Sequence, residues 1–263
     1  MVPSVKAALE KLFLRAPRFY AKILRLKSNW NLDKYLFLSL ARRGDVILDG
    51  GANIGLYSIL FSRLVGPKGM VYSFEPTPPT FAQLEKNLFK SGAKNVNAFA
   101  FAVGNEPGEA TIYLPSGVSG HAALEPHEAA WGDVPVEPYE VEVRRLDDWA
   151  AEIDLKRLDF VKLDLEGAEP LAIEGAAQTL SQHLPSIHLE LSPSFMKDFG
   201  RSVENLKETL EKIGYDTLLG FRDKYDPPQL LGDLLKKHPH ELDCTLVCLQ
   251  RAKHQKQIDR LAR

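Results

Sequence analysis

At 263 residues, 44% of them hydrophobic and 26% charged, the chain is long enough for one large domain with its own core, and its composition excludes collagen-like, low-complexity and wholly disordered architectures. A formal net charge of −2 leaves no basic excess for displacing counterions from phosphates, so no nucleic-acid partner is expected. Cys244 and Cys248 would sit roughly 13 Å apart on one strand, too far for a disulfide, and no apolar run reaches transmembrane length, so the expectation is a cytoplasmic protein with buried thiols.

In chain order, residues 1–43 form a basic segment. Up to Lys27 it carries seven Lys and Arg against one acid, Glu10, and its apolar residues (Val5, Leu9, Leu12, Tyr20, Ile23, Leu24) recur at helical spacing. Such a basic amphipathic segment either packs on the following domain or makes peripheral contact with an anionic membrane or a partner; the sequence leaves both open. Residues 44–250 then alternate short apolar runs with amphipathic stretches. Strands are expected at 46–48, 70–74, 95–101, 160–163, 187–191 and 245–249, and helices at 54–64, 81–90, 171–180 and 203–213. This alternation predicts an α/β domain with a mainly parallel sheet covered on both faces by helices. Between residues 103 and 145 the helical period disappears: alternating runs at 109–114 and 137–143, separated by a loop rich in Gly, Pro and His, read as a hairpin-like insertion able to form part of a substrate lid. Residues 251–263 make a basic tail.

The segment Leu48-Asp49-Gly50-Gly51-Ala52-Asn53-Ile54-Gly55 is an apolar strand that ends in an acid and a glycine-rich turn opening a helix. Flexible backbone and a positive helix end are thereby placed at the carboxyl edge of the sheet, where such folds bind ligands. Ala52 stands where a dinucleotide fingerprint wants its middle glycine. Twenty residues past Gly55, the second strand ends in Glu75, placed to accept hydrogen bonds from a ribose diol. Asp49 would attract the ammonium and sulfonium of S-adenosylmethionine and repel the phosphates of a dinucleotide, which favours the former cofactor over an NAD-dependent oxidoreductase.

This loop, followed in order by Phe74-Glu75-Pro76, Ala102-Val103-Gly104, Leu146-Asp147-Asp148 and Val161-Lys162-Leu163-Asp164-Leu165-Glu166-Gly167-Ala168-Glu169, resembles the FkbM-type methyltransferases. The resemblance implies a seven-stranded Rossmann-like class I fold, S-adenosylmethionine as cofactor, and methyl transfer to the hydroxyl of a small molecule or glycan, commonly a sugar or secondary metabolite. It further implies that Asp49, Gly51, Asn53 and Gly55 hold the methionine end of the cofactor and Glu75 its ribose, with Phe101 and Ala102, closing the third strand, near the adenine.

An alcohol loses its proton as it attacks a methyl group, so a base or a metal must stand near the acceptor oxygen. The fourth strand ends at Asp164 with Glu166 in the following turn, and the fifth carries His188 and Glu190 on one face. Asp164, Glu166 and Glu190 are therefore the catalytic candidates. For the first two, helix capping is the structural alternative; for Glu190, it is a buried acid satisfied by backbone donors. His121 in the insertion is a further candidate base. Two carboxylates are too few to demand a metal, so none is assigned. A fold that keeps the cofactor site without catalysis is the remaining alternative.

Overall fold

Parallel strands buried on both faces need nearly continuous apolar runs, and such runs form the centre of the main sheet in the computed structural model, which describes residues 14, 16–25, 31–115, 135–224, 226–238 and 242–262. The strands β1 (Val46–Gly50), β2 (Met70–Phe74), β3 (Val96–Phe99), β7 (Phe160–Leu163) and β8 (Ser186–Leu191) pair in parallel. β11 (Cys244–Leu249) runs antiparallel between β8 and β9 (Thr217–Phe221). The sheet has eight strands rather than seven, in the order β10-β9-β11-β8-β7-β1-β2-β3. The extra strand, β10 (Gln229–Leu230), adds two residues antiparallel to β9 at the edge, a local return of the chain that carries no apolar run of its own. β1 lies between β2 and β7, so the chain leaves it in opposite directions and opens a crevice at the carboxyl ends of these strands.

One face of the sheet is packed by Tyr72, Phe74 and Phe99 around Trp149, the other by Phe37, Phe61 and Phe160 in mutual edge-on contacts. Phe37 belongs to helix α2 (Leu32–Leu40), which shares its apolar cluster with α1 (Pro17–Arg25), with α3 (Leu56–Val65) and with the C-terminal helix Arg251–Leu261. The end of the chain is thus a helix whose Ile258 and Leu261 are buried, rather than a tail. The basic residues before Leu14 lie outside the described part. Among the described residues, no helix is long and apolar enough to cross a membrane. Cys244 and Cys248 are free and buried, as expected.

Two expected elements are divided. The run 95–101 gives β3 only to Phe99; Phe101 is a bend, and Ala102–Val103 form β4 of a separate three-stranded sheet, β4-β6-β5. There β5 (Gly108–Pro115) and β6 (Val136–Arg144) make the antiparallel hairpin read from the sequence. The loop between them, with His121, lies outside the described residues. The expected helix 171–180 is two helices, α6 (Glu169–Glu174) and α7 (Ala177–His183). Gly175 separates them, because a Cβ there would stand 1.9 Å from the Gly104 carbonyl oxygen. Asp147 restarts the helix by accepting from the Gln178 and Thr179 N–H groups at 3.1 and 2.8 Å.

Candidate active site

The loop after β1 turns on left-handed backbone at Gly51 (φ 69°), Asn53 (φ 49°) and Gly55 (φ 85°). Two glycines are there for space as well as conformation: a Cβ on Gly51 would meet the Asp164 carbonyl oxygen at 1.9 Å, and one on Gly55 would meet Leu84 Cδ1 at 2.5 Å. The first contact presses the loop against the chain leaving β7. The second lets α3 begin against the helix Pro78–Ser91. Asn53 donates its backbone N–H to Glu75 Oε2 at 2.9 Å, and Thr77 donates to Oε1 at 3.0 Å. Glu75 is therefore fixed at the end of β2 with a lone pair of each oxygen still unused. Burial pushes its carboxyl above the ordinary range against the pull of these backbone donors.

These residues border a cleft of about 770 Å³, open mouth included. Gly51, Asn53 and Glu75 lie on one side, and Phe74, Phe101, Ala102 and Ile112 form an apolar wall on the other. Ile112 comes from the hairpin, so the small sheet contributes to the apolar part of the cleft beside Phe101 and Ala102. Asp164 and Glu166 also belong to the lining, and among the described residues no Lys or Arg does. Described lining residues that include three acids suit a sulfonium cofactor better than a dinucleotide's phosphates. The two left-handed glycines, the half-used Glu75 carboxylate and the apolar wall all fit S-adenosylmethionine.

Behind the loop runs a polar row that crosses four adjacent strands in register: Ser73, Asp49, Lys162 and His188. Its centre is Lys162, 2% exposed within a fully buried strand. The Lys162 ammonium donates to the Gly50 and Gly51 carbonyls at 3.1 and 2.8 Å and pairs with Asp164 Oδ2 at 3.2 Å. Asp49 is wholly buried beneath the loop, where its Oδ2 accepts from Ser58 Oγ at 2.7 Å and its Oδ1 lies 3.6 Å from Lys162 Nζ. It is not part of the cleft lining, whose described acids are Glu75, Asp164 and Glu166. Gly55 also lies behind the lining, at the helix start. Lys162 is the residue sequence reasoning left without a role. Its signal is a charge inside the apolar run 160–163, which has to be compensated on both sides.

The catalytic candidates gather around Asp164. Burial acts to raise its carboxyl, but Lys162 and a hydrogen bond from Glu190 hold it below the ordinary carboxylate range. Glu190, although exposed overall, is pushed up to about 8 by desolvation and by the Asp164 charge. At neutral pH the two thus form a carboxylate and a carboxylic acid sharing one proton. Glu166, at φ 51°, is pushed up to about 7 by burial and by Asp164. Glu169, 1% exposed, also reaches about 7 through burial, even though its Oε1 accepts from the Leu165 N–H at 2.6 Å. Asp164 and Glu190 also border a second cavity of about 720 Å³, open mouth included.

A mainly parallel sheet with two antiparallel strands, β10 and β11, toward one edge, a glycine loop after β1 and an acid ending β2 define a Rossmann-like methyltransferase that uses S-adenosylmethionine. The model of the FkbM methyltransferase domain matches residues 49–217, and the chain belongs to that family. It is 27% identical over 198 residues to Methyltransferase 1 of Beauveria bassiana, covering 70% of this chain and 77% of that protein. It is 30% identical over 177 residues to the 2-O-methyltransferase NoeI of Sinorhizobium fredii, covering 64% and 72%. The crystal structure of the methyltransferase FkbM from Methylobacillus flagellatus aligns with TM-score 0.47 at 20% identity, over 80% of this chain and 44% of that one.

Proposed function

We propose that the protein transfers the methyl group of S-adenosylmethionine to a hydroxyl oxygen of a sugar or secondary metabolite, with the Asp164–Glu190 pair as proton acceptor. The observation that carries this reading is that Asp164 lines both cavities, the cofactor cleft and the one beyond it. A 2-O-methyltransferase among the relatives supports oxygen as the nucleophile. Bound in the cleft, the cofactor supplies an electrophilic methyl group on a sulfonium. The chain's own residues do the rest. Glu75 would take the ribose diol, Phe101 and Ala102 would exclude water from the adenine, and Gly51 and Asn53 would hold the methionine end, with Glu166 as an acid of the same lining available to its ammonium. Asp164, kept ionised by Lys162, orients an acceptor hydroxyl and takes its proton as the new bond forms.

Asp164→Asn therefore lowers turnover by roughly 10²-fold or more, while calorimetry with S-adenosylhomocysteine shows a nearly unchanged affinity. Glu75→Ala does the reverse, weakening that binding first. Wild-type turnover rises with pH toward about 8 as Glu190 releases its proton, and Glu190→Gln flattens the rise. Normal transfer of isotopically labelled methyl by the Asp164 variant removes the assignment.

A further inference from the structure

The second cavity differs from the cofactor cleft in where its walls come from. The cleft is lined from within residues 49–217, whereas the cavity draws Asp33 from α2 and Arg222, Asp243 and Thr245 from the chain beyond 217, outside the family domain. These join Asp164, His188 and Glu190.

Its hydrogen-bonding capacity is one-sided. Lys162 reaches the cavity floor, but its three protons are directed at the Gly50 and Gly51 carbonyls and at Asp164. Tyr57 donates its hydroxyl proton to Asp33 Oδ2 at 3.4 Å. His188 Nε2 lies 3.2 Å from Asp33 Oδ1; with the proton on Nε2, Nδ1 is left as an acceptor, and it has no partner although the ring is 5% exposed. Arg222 turns Nη1 to His238 Nε2 at 2.7 Å. Asp243 holds the opposite wall, accepting from Ser192 Oγ at 2.8 Å. Burial opposes ionisation of Asp33, yet its His188 partner holds the carboxyl below its ordinary range. Among the described residues the cavity thus combines carboxylates from three separate segments with a floor on which the protons of Lys162 and Tyr57 are already engaged.

We propose that this cavity is the acceptor site and that it selects an acceptor bearing a cationic amino group beside the reacting hydroxyl, with Asp33 and Asp243 as the residues that read that charge. The proposal rests on the methyltransferase reading above for the identity of the neighbouring cleft. An ammonium supplies donors to an acceptor-rich floor and offsets its carboxylates. Arg222 is the one described cation of the lining besides Lys162, and Asp33 and Asp243 outnumber it, so a carboxylate or phosphate at the same place meets no free proton of Lys162 and a net negative surrounding.

The test uses the full chain saturated with S-adenosylhomocysteine at pH 6.5 and three matched probes, glucosamine, glucose and glucuronate, with binding followed by ligand-observed NMR titration. Glucosamine is expected to bind at least tenfold tighter than glucose, and glucuronate more weakly still. Asp33→Asn brings glucosamine to the level of glucose while leaving S-adenosylhomocysteine affinity unchanged, and Asp243→Asn repeats the test from the opposite wall should the first variant fold poorly. Equal affinities, a preference for glucuronate, or no binding of any probe to the saturated protein overturns the charge assignment alone. Absence of S-adenosylhomocysteine binding instead removes the methyl-donor reading, and this proposal with it.

Discussion

Lys162 has three protons to donate, and the fold supplies three acceptors for them at 2.8–3.2 Å. Two are carbonyls of the glycine loop and the third is the carboxylate of Asp164, so one side chain ties the cofactor loop to the catalytic pair. Removing one partner from such a buried set leaves the others uncompensated, a cost of roughly 3–5 kcal/mol. Lys162→Met is accordingly expected to lower the unfolding free energy by about that much in urea titrations. Its residual folded fraction should bind S-adenosylhomocysteine weakly, because both loop carbonyls lose their anchor. In the sequence, Lys162 was visible only as a charge inside an apolar strand. Its partners at Gly50 and Asp49 are more than a hundred residues away, and only the pairing register of β1 with β7 brings them together. The same distance hid the position of Asp49, which sequence reading puts at the loop mouth and the fold puts beneath it. That Glu75, Asn53 and Gly51 meet at the cleft was legible because it depends on local turn geometry and on a strand end.

At the scale of elements, periodicity located what is periodic. The parallel strands at the centre of the sheet fell where apolar runs bounded by turn residues indicated, and the hairpin followed from alternation over 109–114 and 137–143. The break at Gly175 was not legible, since the apolar spacing of 171–180 continues through it and its cause is the approach of Gly104 from another sheet. The device that makes the break tolerable is Asp147, which satisfies the first N–H groups of Ala177–His183 with both carboxylate oxygens. Loss of such a cap typically costs about 1–2 kcal/mol. Asp147→Ala should lower stability by about that amount in chemical denaturation and leave kcat/KM within about twofold, because the cap lies behind the sheet and borders neither cavity. A large loss of activity at unchanged stability would show that the α6–α7 corner positions the cleft.

Across the whole molecule, the site concentrates carboxyl groups whose protons are held more tightly in the fold than in the open chain, and this sets the pH dependence of stability. Glu166 and Glu169 reach about 7 and Glu190 about 8, from an ordinary value of 4.5. Between 4.5 and these values the folded protein binds protons that the unfolded chain has released, so stability falls as pH rises through that window. His254 works in the opposite sense: burial lowers it to about 4, so it adds stability as pH rises from there to 6.5 and nothing further above. Asp33 and Asp164 titrate below the ordinary range, and their contribution is lost only on strong acidification. From pH 6.5 to 8 the raised carboxyls act without opposition from His254, and the melting temperature should decline. Glu169 is the cleanest probe because it is 1% exposed and lines neither cavity. In Glu169→Gln the amide oxygen can keep the Leu165 N–H, and the amide nitrogen replaces Oε2, an atom that has no partner in the wild type. At about 1.4 kcal/mol per pKa unit over the rise from 4.5 to about 7, the variant's stability relative to wild type should grow by roughly 3 kcal/mol between acid and pH 8, with less than about 1 kcal/mol of that present at pH 5. Parallel melting curves for the two proteins across this range would show instead that Glu169 is already ionised in the fold and that the acid cluster is compensated elsewhere.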